Sequence, residues 1–585
     1  MVVLLSTLTA CGLFGGGPED AARAYAQAWA AGDDAAAAAL TDDPAAAAAV
    51  LAAARTALAP AGLTAQVGEV RTVGEGAVAT VDVAWDLGQG RAWAYPVDLQ
   101  LAPADTDSGW ILRWAPSAVH PKLAAGQRLA LRPEPATPAP ILDRGGLPLM
   151  APTQVITVLL DKAAAATAAA PLGRALGRID PGITAASITA GAAEVPDGQA
   201  YTVAVLRERD YTLVKDDIYD LAGVRFVRSE RLLARDAAFG RQILPPVRTE
   251  MAATLDGVPG WSVVTVGADG SAVDVLADTE PQPGHSVATG MSLATQIAAE
   301  DAVTTVPQAA MLVAVQPSTG QVLAVAQNDA ADAQGALALT GRYPPGSTFK
   351  IVTAEAGITQ AGLTEDAPVA CPAGVVVDGR VVPNKGDFDL GTVPLRTAFA
   401  RSCNTTFAQL GARLAPDGLP AAARSLGLGA DYAVPGLVTV TGSVPEGTTE
   451  VLRAENGFGQ GEVLASPLGM ALVAATVAQG ATVVPQLITD RPTQVLTAAT
   501  APDAAALAQV RSMMRAVVTE GTASQLAARG EVYGKTGTAE YAADGRAHGW
   551  FVGYRGDVAF AVLVVDGGSS EVAVGVADRF LRATG

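Results

Sequence analysis

Three short polar motifs occur once each in this chain and always in the same order along it: Ser347-Thr348-Phe349-Lys350, Ser402-Cys403-Asn404 and Lys535-Thr536-Gly537. If they act together, the polypeptide must return twice to one cleft, which confines the fold of the carboxyl-terminal half. Around the first motif, Pro344, Pro345 and Gly346 are helix-start signals ahead of Ile351-Val352-Thr353-Ala354-Glu355-Ala356. Ser347 and Lys350 stand three residues apart, so a helix projects both from one face, close enough for the amine to take the hydroxyl proton. A lysine serves as a base only when burial or a neighbouring cation lowers its pKa, and Lys535 is a candidate for that cation. Free N–H groups in the first helical turn favour negative charge developing at the serine.

Each motif has an ordinary structural reading when taken alone. Ser-x-x-Lys occurs on many helix surfaces, Lys-Thr-Gly suits an edge strand with a glycine bulge, and Ser402 and Asn404 suit a turn or helix cap. The ordered trio is what carries weight. It matches the three active-site motifs of the superfamily of penicillin-binding proteins and serine β-lactamases, and the chain resembles the class B penicillin-binding proteins. Lys535-Thr536-Gly537-Thr538-Ala539-Glu540 and His548-Gly549-Trp550-Phe551-Val552-Gly553-Tyr554 resemble the paired strands at the edge of that active site. Gly457-Phe458-Gly459-Gln460-Gly461 with Ala465-Ser466-Pro467-Leu468 resembles the family's Gly-Gln-Gly loop and following helix. These likenesses run from about residue 286 to the end. Further upstream, Trp114-Ala115-Pro116-Ser117 and His120-Pro121 resemble the end of the NTF2-like domain of the methicillin-resistance-type subgroup. Ile141-Leu142-Asp143-Arg144-Gly145-Gly146 resembles, with Gly145 in place of Asn, the element that opens the family's pedestal domain.

Length and patterning fit that reading. A chain of 585 residues implies three or four domains at roughly 150 residues each. Tyr25 and Trp29 share a helix face after the acidic turn Pro18-Glu19-Asp20, and a second Ala-rich helix runs to Leu58. Val81, Val83, Trp85 and Leu87 alternate with Asp82, Ala84 and Asp86, the period of a half-buried strand. Helices followed by an antiparallel sheet predict a small α+β cone. Four prolines between Leu131 and Pro140 mark a boundary or extended connector. Ala309–Val315, the turn Pro317-Ser318-Thr319-Gly320 and Val322–Ala326 read as a hairpin. The expected fold is therefore multidomain α+β: a signal and tether at 1–17, an NTF2-like domain at 18–124, an elongated pedestal or dimerisation domain at 125–285, and a transpeptidase domain at 286–585. The resemblance implies a central antiparallel sheet flanked by helices in that last domain.

Composition excludes other classes. A net charge of −19 with six scattered lysines leaves no basic footprint for nucleic acid. Three cysteines and three widely spaced histidines, His120, His285 and His548, supply no metal-ligand pattern, and no cofactor is called for. Apolar residues are spread along the chain without the run of about 20 that a bilayer span requires. Leu8-Thr9-Ala10-Cys11 resembles a lipobox, which implies cleavage and acylation on Cys11 and an extracytoplasmic protein anchored to the bacterial membrane; no Lys or Arg precedes the apolar stretch, and a truncated membrane anchor is the alternative.

The family resemblance implies that Ser347 attacks the carbonyl between the last two D-alanines of a peptidoglycan stem peptide, and that β-lactams acylate the same serine. Lys350 would accept the proton, Ser402 relay one toward the leaving amine, Lys535 polarise that relay and Asn404 hold the peptide amide. The N–H groups of Ser347 and Thr538 would form an oxyanion hole, and Thr536, Gly537 and Thr538 would bind the terminal carboxylate. Cys403 reads as a buried small residue; a Cys371–Cys403 disulfide is compatible with a site outside the cytoplasm. The resemblance also implies a cell-wall role, with antibiotic resistance as the subgroup's association and a peptidoglycan glycosyltransferase as partner. Competing functions are a serine β-lactamase, a D,D-carboxypeptidase and a non-catalytic β-lactam sensor. None of the four Asn has a Glu four positions before it, as the class A deacylating loop requires, and no Gly-x-Ser-x-Gly supports an ordinary serine hydrolase.

Overall fold

The computed structural model describes residues 16–542 and 545–585. The chain forms two compact units, one gathering residues up to 137 with 257–283, the other 138–256 with 284–585.

In the first unit, helix Pro18–Ala30 begins at a proline, and the Asp20 carboxylate accepts the Gly17 N–H at 3.1 Å. Its apolar stripe buries Ala22, Tyr25, Ala26 and Trp29. Helix Pro44–Leu58 is capped by Asp43, whose carboxylate accepts the Ala46 N–H at 3.1 Å. Strands Gly62–Val73, Gly76–Asp86, Ala92–Pro103 and Trp110–Leu112 form an antiparallel meander in chain order. Val81, Val83 and Trp85 point inward and Asp82, Ala84 and Asp86 outward, as the period of two requires. Together they enclose the core of a small α+β cone.

A second sheet belongs to the same unit. Arg128–Glu134, Gly260–Val266 and Ala272–Thr279 pair antiparallel, and Leu129, Trp261 and Val263 join the cone's core. The proline-rich stretch does not begin as a connector, since Pro133 sits within strand Arg128–Glu134 opposite Trp261. It lies on the edge strand, where a missing N–H costs no ladder bond. Residues 257–283, grouped with the pedestal in the sequence reading, lie in this unit because the all-buried strand Gly260–Val266 finds its apolar partners here.

The second unit opens on a five-stranded sheet around the long strand Pro148–Asp161, which pairs with Ala200–Arg207 and Val224–Ala234; Ile141–Leu142 and Val287–Ala288 extend it. The Asp143–Gly146 element is a turn whose buried carboxylate accepts N–H groups from Gly145 and Leu147 at 2.7 and 2.9 Å. Its other oxygen accepts the Leu293 N–H at 3.1 Å, the first residue of helix Leu293–Val303. A carboxylate at a helix start satisfies an orphan donor and complements the dipole.

The larger sheet of this unit runs Val322–Gln327, Ala310–Val315, Val558–Val564, Ala547–Arg555, Val532–Glu540, antiparallel throughout. The expected hairpin supplies its first two strands. Ala310–Val315 and Val322–Gln327 are buried on both faces, so neither alternates. Helix Pro467–Gln479 is apolar all round and buried from Pro467 through Val477; helices Leu293–Val303 and Ser570–Ala583 also pack on this core. The sheet ends in an edge strand, Val532–Glu540, and on that edge the three motifs meet. No helix among the described residues is long and apolar enough to cross a membrane. Cys11 lies outside the described residues.

Candidate active site

Ser347 stands in a single 3₁₀ turn, Gly346–Phe349, that runs straight into helix Lys350–Ala361. The turn is held from three sides. The Trp550 indole N–H donates to Pro344 O at 2.9 Å, Thr348 Oγ1 donates to Pro345 O at 2.7 Å, and Gly346 N–H donates to Gly459 O at 2.9 Å. A Cβ on Gly459 would stand 1.9 Å from Gly346 O, so the Gly-Gln-Gly loop approaches the Ser347 turn more closely than any other residue allows. Gly537 does the same from the sheet edge: a Cβ there would meet Pro345 O and Thr348 Cγ2 at 2.9 Å. The edge strand can therefore lie directly against the turn.

Lys350 is fully buried, and its Nζ lies 3.0 Å from Ser347 Oγ, 2.8 Å from Ser402 O, 3.3 Å from Ser402 Oγ and 2.7 Å from Asn404 Oδ1. Burial, then the charge of Lys535, holds its pKa well below the ordinary lysine value. A neutral amine has two N–H donors and one lone pair. Ser402 O and Asn404 Oδ1 can only accept, and they are the two shortest contacts, so they take both donors. The lone pair is left for the Ser347 hydroxyl. The Asn404 amide is oriented for this role because its Nδ2 donates to Pro383 O at 3.2 Å.

Lys535 is also fully buried, and burial lowers its pKa to about 7. Its Nζ donates to Ser402 Oγ at 3.0 Å and to Thr536 O at 3.1 Å. The Ser402 hydroxyl thus bridges the two lysines, and the Lys535 charge disfavours protonation of Lys350. The amines also lie over aromatic faces, Lys350 over Phe407 and Lys535 over Phe399, each 5.6 Å from the ring centre.

The second motif is placed by a helix end. Ser402 N–H donates to Phe399 O at 3.0 Å and Cys403 N–H to Ala398 O at 2.8 Å, the two bonds of a Schellman motif closing helix Leu395–Ala400. Ser402 accordingly takes φ +62°, a left-handed position that glycine usually fills. Buried Asn384, which no motif flagged, receives the next helix: its Oδ1 accepts the N–H groups of Asn404 and Thr405 at 2.8 and 3.2 Å. Asn384 is itself fixed by donating to Pro372 O and Phe388 O, both at 2.9 Å. Cys371 and Cys403 are joined in a disulfide, so the residue inside the motif is covalently tied to strand Pro368–Cys371.

These groups line a cleft of about 710 Å³. Ser347, Ser402, Asn404, Thr536 and Thr538 all face it. Lys350, Lys535 and Gly537 are buried and do not line it. Two lining residues escaped sequence reasoning. Thr522 Oγ1 lies 2.5 Å from Thr536 Oγ1, and Ser570 donates its N–H to Thr538 Oγ1 at 3.2 Å. Neither sits in a recognisable pattern, since their roles arise only where a loop and a helix start meet the edge strand. The wall opposite carries Arg380, ion-paired to Glu455 at 2.9 Å, with exposed Lys385 and Arg401.

Comparison with known proteins agrees with this geometry. Residues 310–582 match the penicillin binding protein transpeptidase domain and residues 17–127 the NTF2-like N-terminal transpeptidase domain. The chain is 32% identical over 328 residues to the peptidoglycan D,D-transpeptidase PbpA of Mycobacterium tuberculosis, covering 47% of this chain and 63% of that protein. It is 32% identical over 318 residues to PbpA of Mycolicibacterium smegmatis, covering 45% and 63%, and 27% identical over 346 residues to penicillin-binding protein 3 of Bacillus subtilis, covering 51% and 49%. The chain thus spans less than two thirds of the length of these relatives. Among solved structures, the complex between penicillin-binding protein PBP2 and MreC from Helicobacter pylori aligns with a TM-score of 0.60 at 16% identity, covering 78% of this chain and 98% of that one. That likeness concerns the fold. The chain thus carries a penicillin binding protein transpeptidase domain at residues 310–582 and an NTF2-like N-terminal transpeptidase domain at residues 17–127, and in the first of these a serine, two lysines and an asparagine converge on one cleft.

Proposed function

We propose that this protein is a D,D-transpeptidase that cross-links peptidoglycan stem peptides through an acyl-enzyme on Ser347. The observation that carries the proposal is the Lys350 amine, buried, depressed in pKa and 3.0 Å from Ser347 Oγ. In the acylation half, Lys350 takes the hydroxyl proton as Ser347 attacks the carbonyl between two D-alanines. The amides of Ser347 and Thr538 receive the developing oxyanion, a type of contact that contributes about 3 kcal/mol or more. The bond to the terminal D-alanine breaks, and Ser402, hydrogen-bonded to Lys535, passes a proton to the departing amine. In the second half an amine from a neighbouring strand attacks the acyl carbonyl and restores the serine. Asn404 holds the peptide amide, while Thr536, Gly537 and Thr538 hold the terminal carboxylate.

A β-lactamase would need a base to aim water at the adduct. Of the carboxylates lining the cleft, Glu455 is ion-paired to Arg380 and Glu540 is exposed at the strand end, which supports a long-lived acyl-enzyme instead. The same reading has β-lactams as acylating ligands, a peptidoglycan glycosyltransferase as source of the strands, a role in β-lactam resistance, and an extracytoplasmic location with anchoring through acylated Cys11. The test is labelling by fluorescent penicillin: the wild type is expected to give one stable adduct and Ser347→Ala none. Rapid release of hydrolysed reagent by the wild type would instead make it a β-lactamase.

A further inference from the structure

Behind the catalytic edge strand lies a second cavity of about 640 Å³, separate in its lining from the cleft of Ser347. Arg511 and Arg515, one turn apart on helix Ala504–Thr519, both line it. Each spends one guanidinium nitrogen on a backbone carbonyl, Val477 O at 2.9 Å and Val532 O at 2.7 Å. Neither has an ion-pair partner among the described residues. A third arginine, Arg396, stands at the cavity with Asp366 and Glu365 as partners, 3.4 and 3.9 Å away. Tyr554 completes the site. Its side chain is 5% exposed, its ring stacks on Tyr533 at 4.7 Å, and its hydroxyl is buried with no hydrogen-bond partner. Burial, then Tyr533, raises the phenol's pKa against the opposing Arg511 charge, so it stays an O–H donor. The carboxylates lining the cavity, Glu520 and Glu531, are exposed.

The Tyr554 hydroxyl is a buried donor without an acceptor, which is costly, and beside it stand two half-buried guanidinium groups with N–H donors to spare. Guanidinium groups match oxyanions with several oxygens at one centre. We propose that this cavity is a binding site for a phosphoryl group, free or carried as a phosphate ester, held by Tyr554, Arg511 and Arg515. Its elements lead directly into the catalytic motifs. Tyr533 precedes Lys535 by two residues on the edge strand, and the arginine helix ends at Thr519, just before Thr522 and its contact with Thr536. Occupancy is therefore expected to alter the rate at which Ser347 is acylated.

The experiment is calorimetric titration of the full chain with inorganic phosphate, glycerol 1-phosphate and acetate at matched ionic strength, beside Tyr554→Phe and Arg511→Gln/Arg515→Gln. Saturable phosphate binding with a Kd on the order of 1 mM is expected. Tyr554→Phe, which removes only an unpartnered hydroxyl and keeps the ring, should weaken it several-fold, and the double arginine variant about tenfold or more. Tighter binding of the ester assigns the site to esterified phosphate, the reverse to the free anion. Absence of saturable heat, equal binding by wild type and Tyr554→Phe, or acetate binding as tightly as phosphate would overturn the proposal. The outcome does not depend on the acyl chemistry assigned to Ser347, which penicillin labelling tests separately.

Discussion

Ser402 occupies a helix-end position where a side chain is a liability, and the hydroxyl it places between Lys350 and Lys535 depends on its being there. An L-residue in the left-handed region costs roughly 1–2 kcal/mol, a strain that the two Schellman bonds and the neighbouring disulfide hold in place. Ser402→Ala and Ser402→Gly both remove the hydroxyl between the lysines and should both slow penicillin acylation. Thermal unfolding should separate them, with the glycine variant more stable by about 1 kcal/mol. Equal stability, or the reverse order, would show that the backbone is unstrained. The lysines make a second prediction. A base must be unprotonated, so acylation is expected to be lost as pH falls through the lowered pKa of Lys350, and Lys535→Met, which removes the neighbouring cation, should move that loss to higher pH. Stability carries the same sign. Lys535 at about 7 in the folded state binds fewer protons than in the unfolded chain, where the value is 10.5, so the cost of burying it is full below pH 7 and stability rises as pH climbs from 7 toward 10.5.

At the scale of elements, the site depends on three close approaches that side chains would prevent or that a cap must hold. Gly537→Ala should push the edge strand off the nucleophile turn and reduce acylation by about a hundredfold, the usual cost of a misplacement near 1 Å. Unchanged labelling would mean that the strand yields without consequence. Asn384→Ala leaves the N–H groups of Asn404 and Thr405 without their acceptor. It should cost about 1–2 kcal/mol in denaturant unfolding and slow acylation, because Asn404 then loses its fixed register beside Lys350. The disulfide acts on the same junction. It links residues 32 apart, and Cys371→Ser with Cys403→Ser is expected to lower stability by about 3–4 kcal/mol on loop-closure grounds.

For the whole molecule, the division of the chain is not the order of its residues. Trp261 leaves its sequence neighbours to pack with Leu129 in the core of the amino-terminal unit. Trp261→Ala should therefore destabilise by about 3–5 kcal/mol in thermal unfolding while leaving Ser347 labelling at 25 °C in place, since Trp261 is 9% exposed in a core that contains none of the site residues. Loss of labelling in a folded variant would contradict that separation.

The sequence by itself determined the local chemistry. Proline and glycine ahead of Ser347 start its turn, three-residue spacing puts Lys350 on the same face, and alternation from Val81 to Trp85 makes a strand, because each depends on neighbours within a few residues. The fold class and the convergence of three motifs were legible for a related reason, in that an ordered set of rare patterns is hard to produce by chance. Tertiary structure alone decided the rest. That Asn384 caps the Asn404 helix, that Thr522 meets Thr536, that Ser402 sits in the left-handed region, and that residues 257–283 return to the first unit all depend on contacts between distant segments. Burial of Lys350 and Lys535 belongs with them: a lysine's charge is written in the chain, but the loss of water that holds its pKa below the ordinary value is a property of the folded interior.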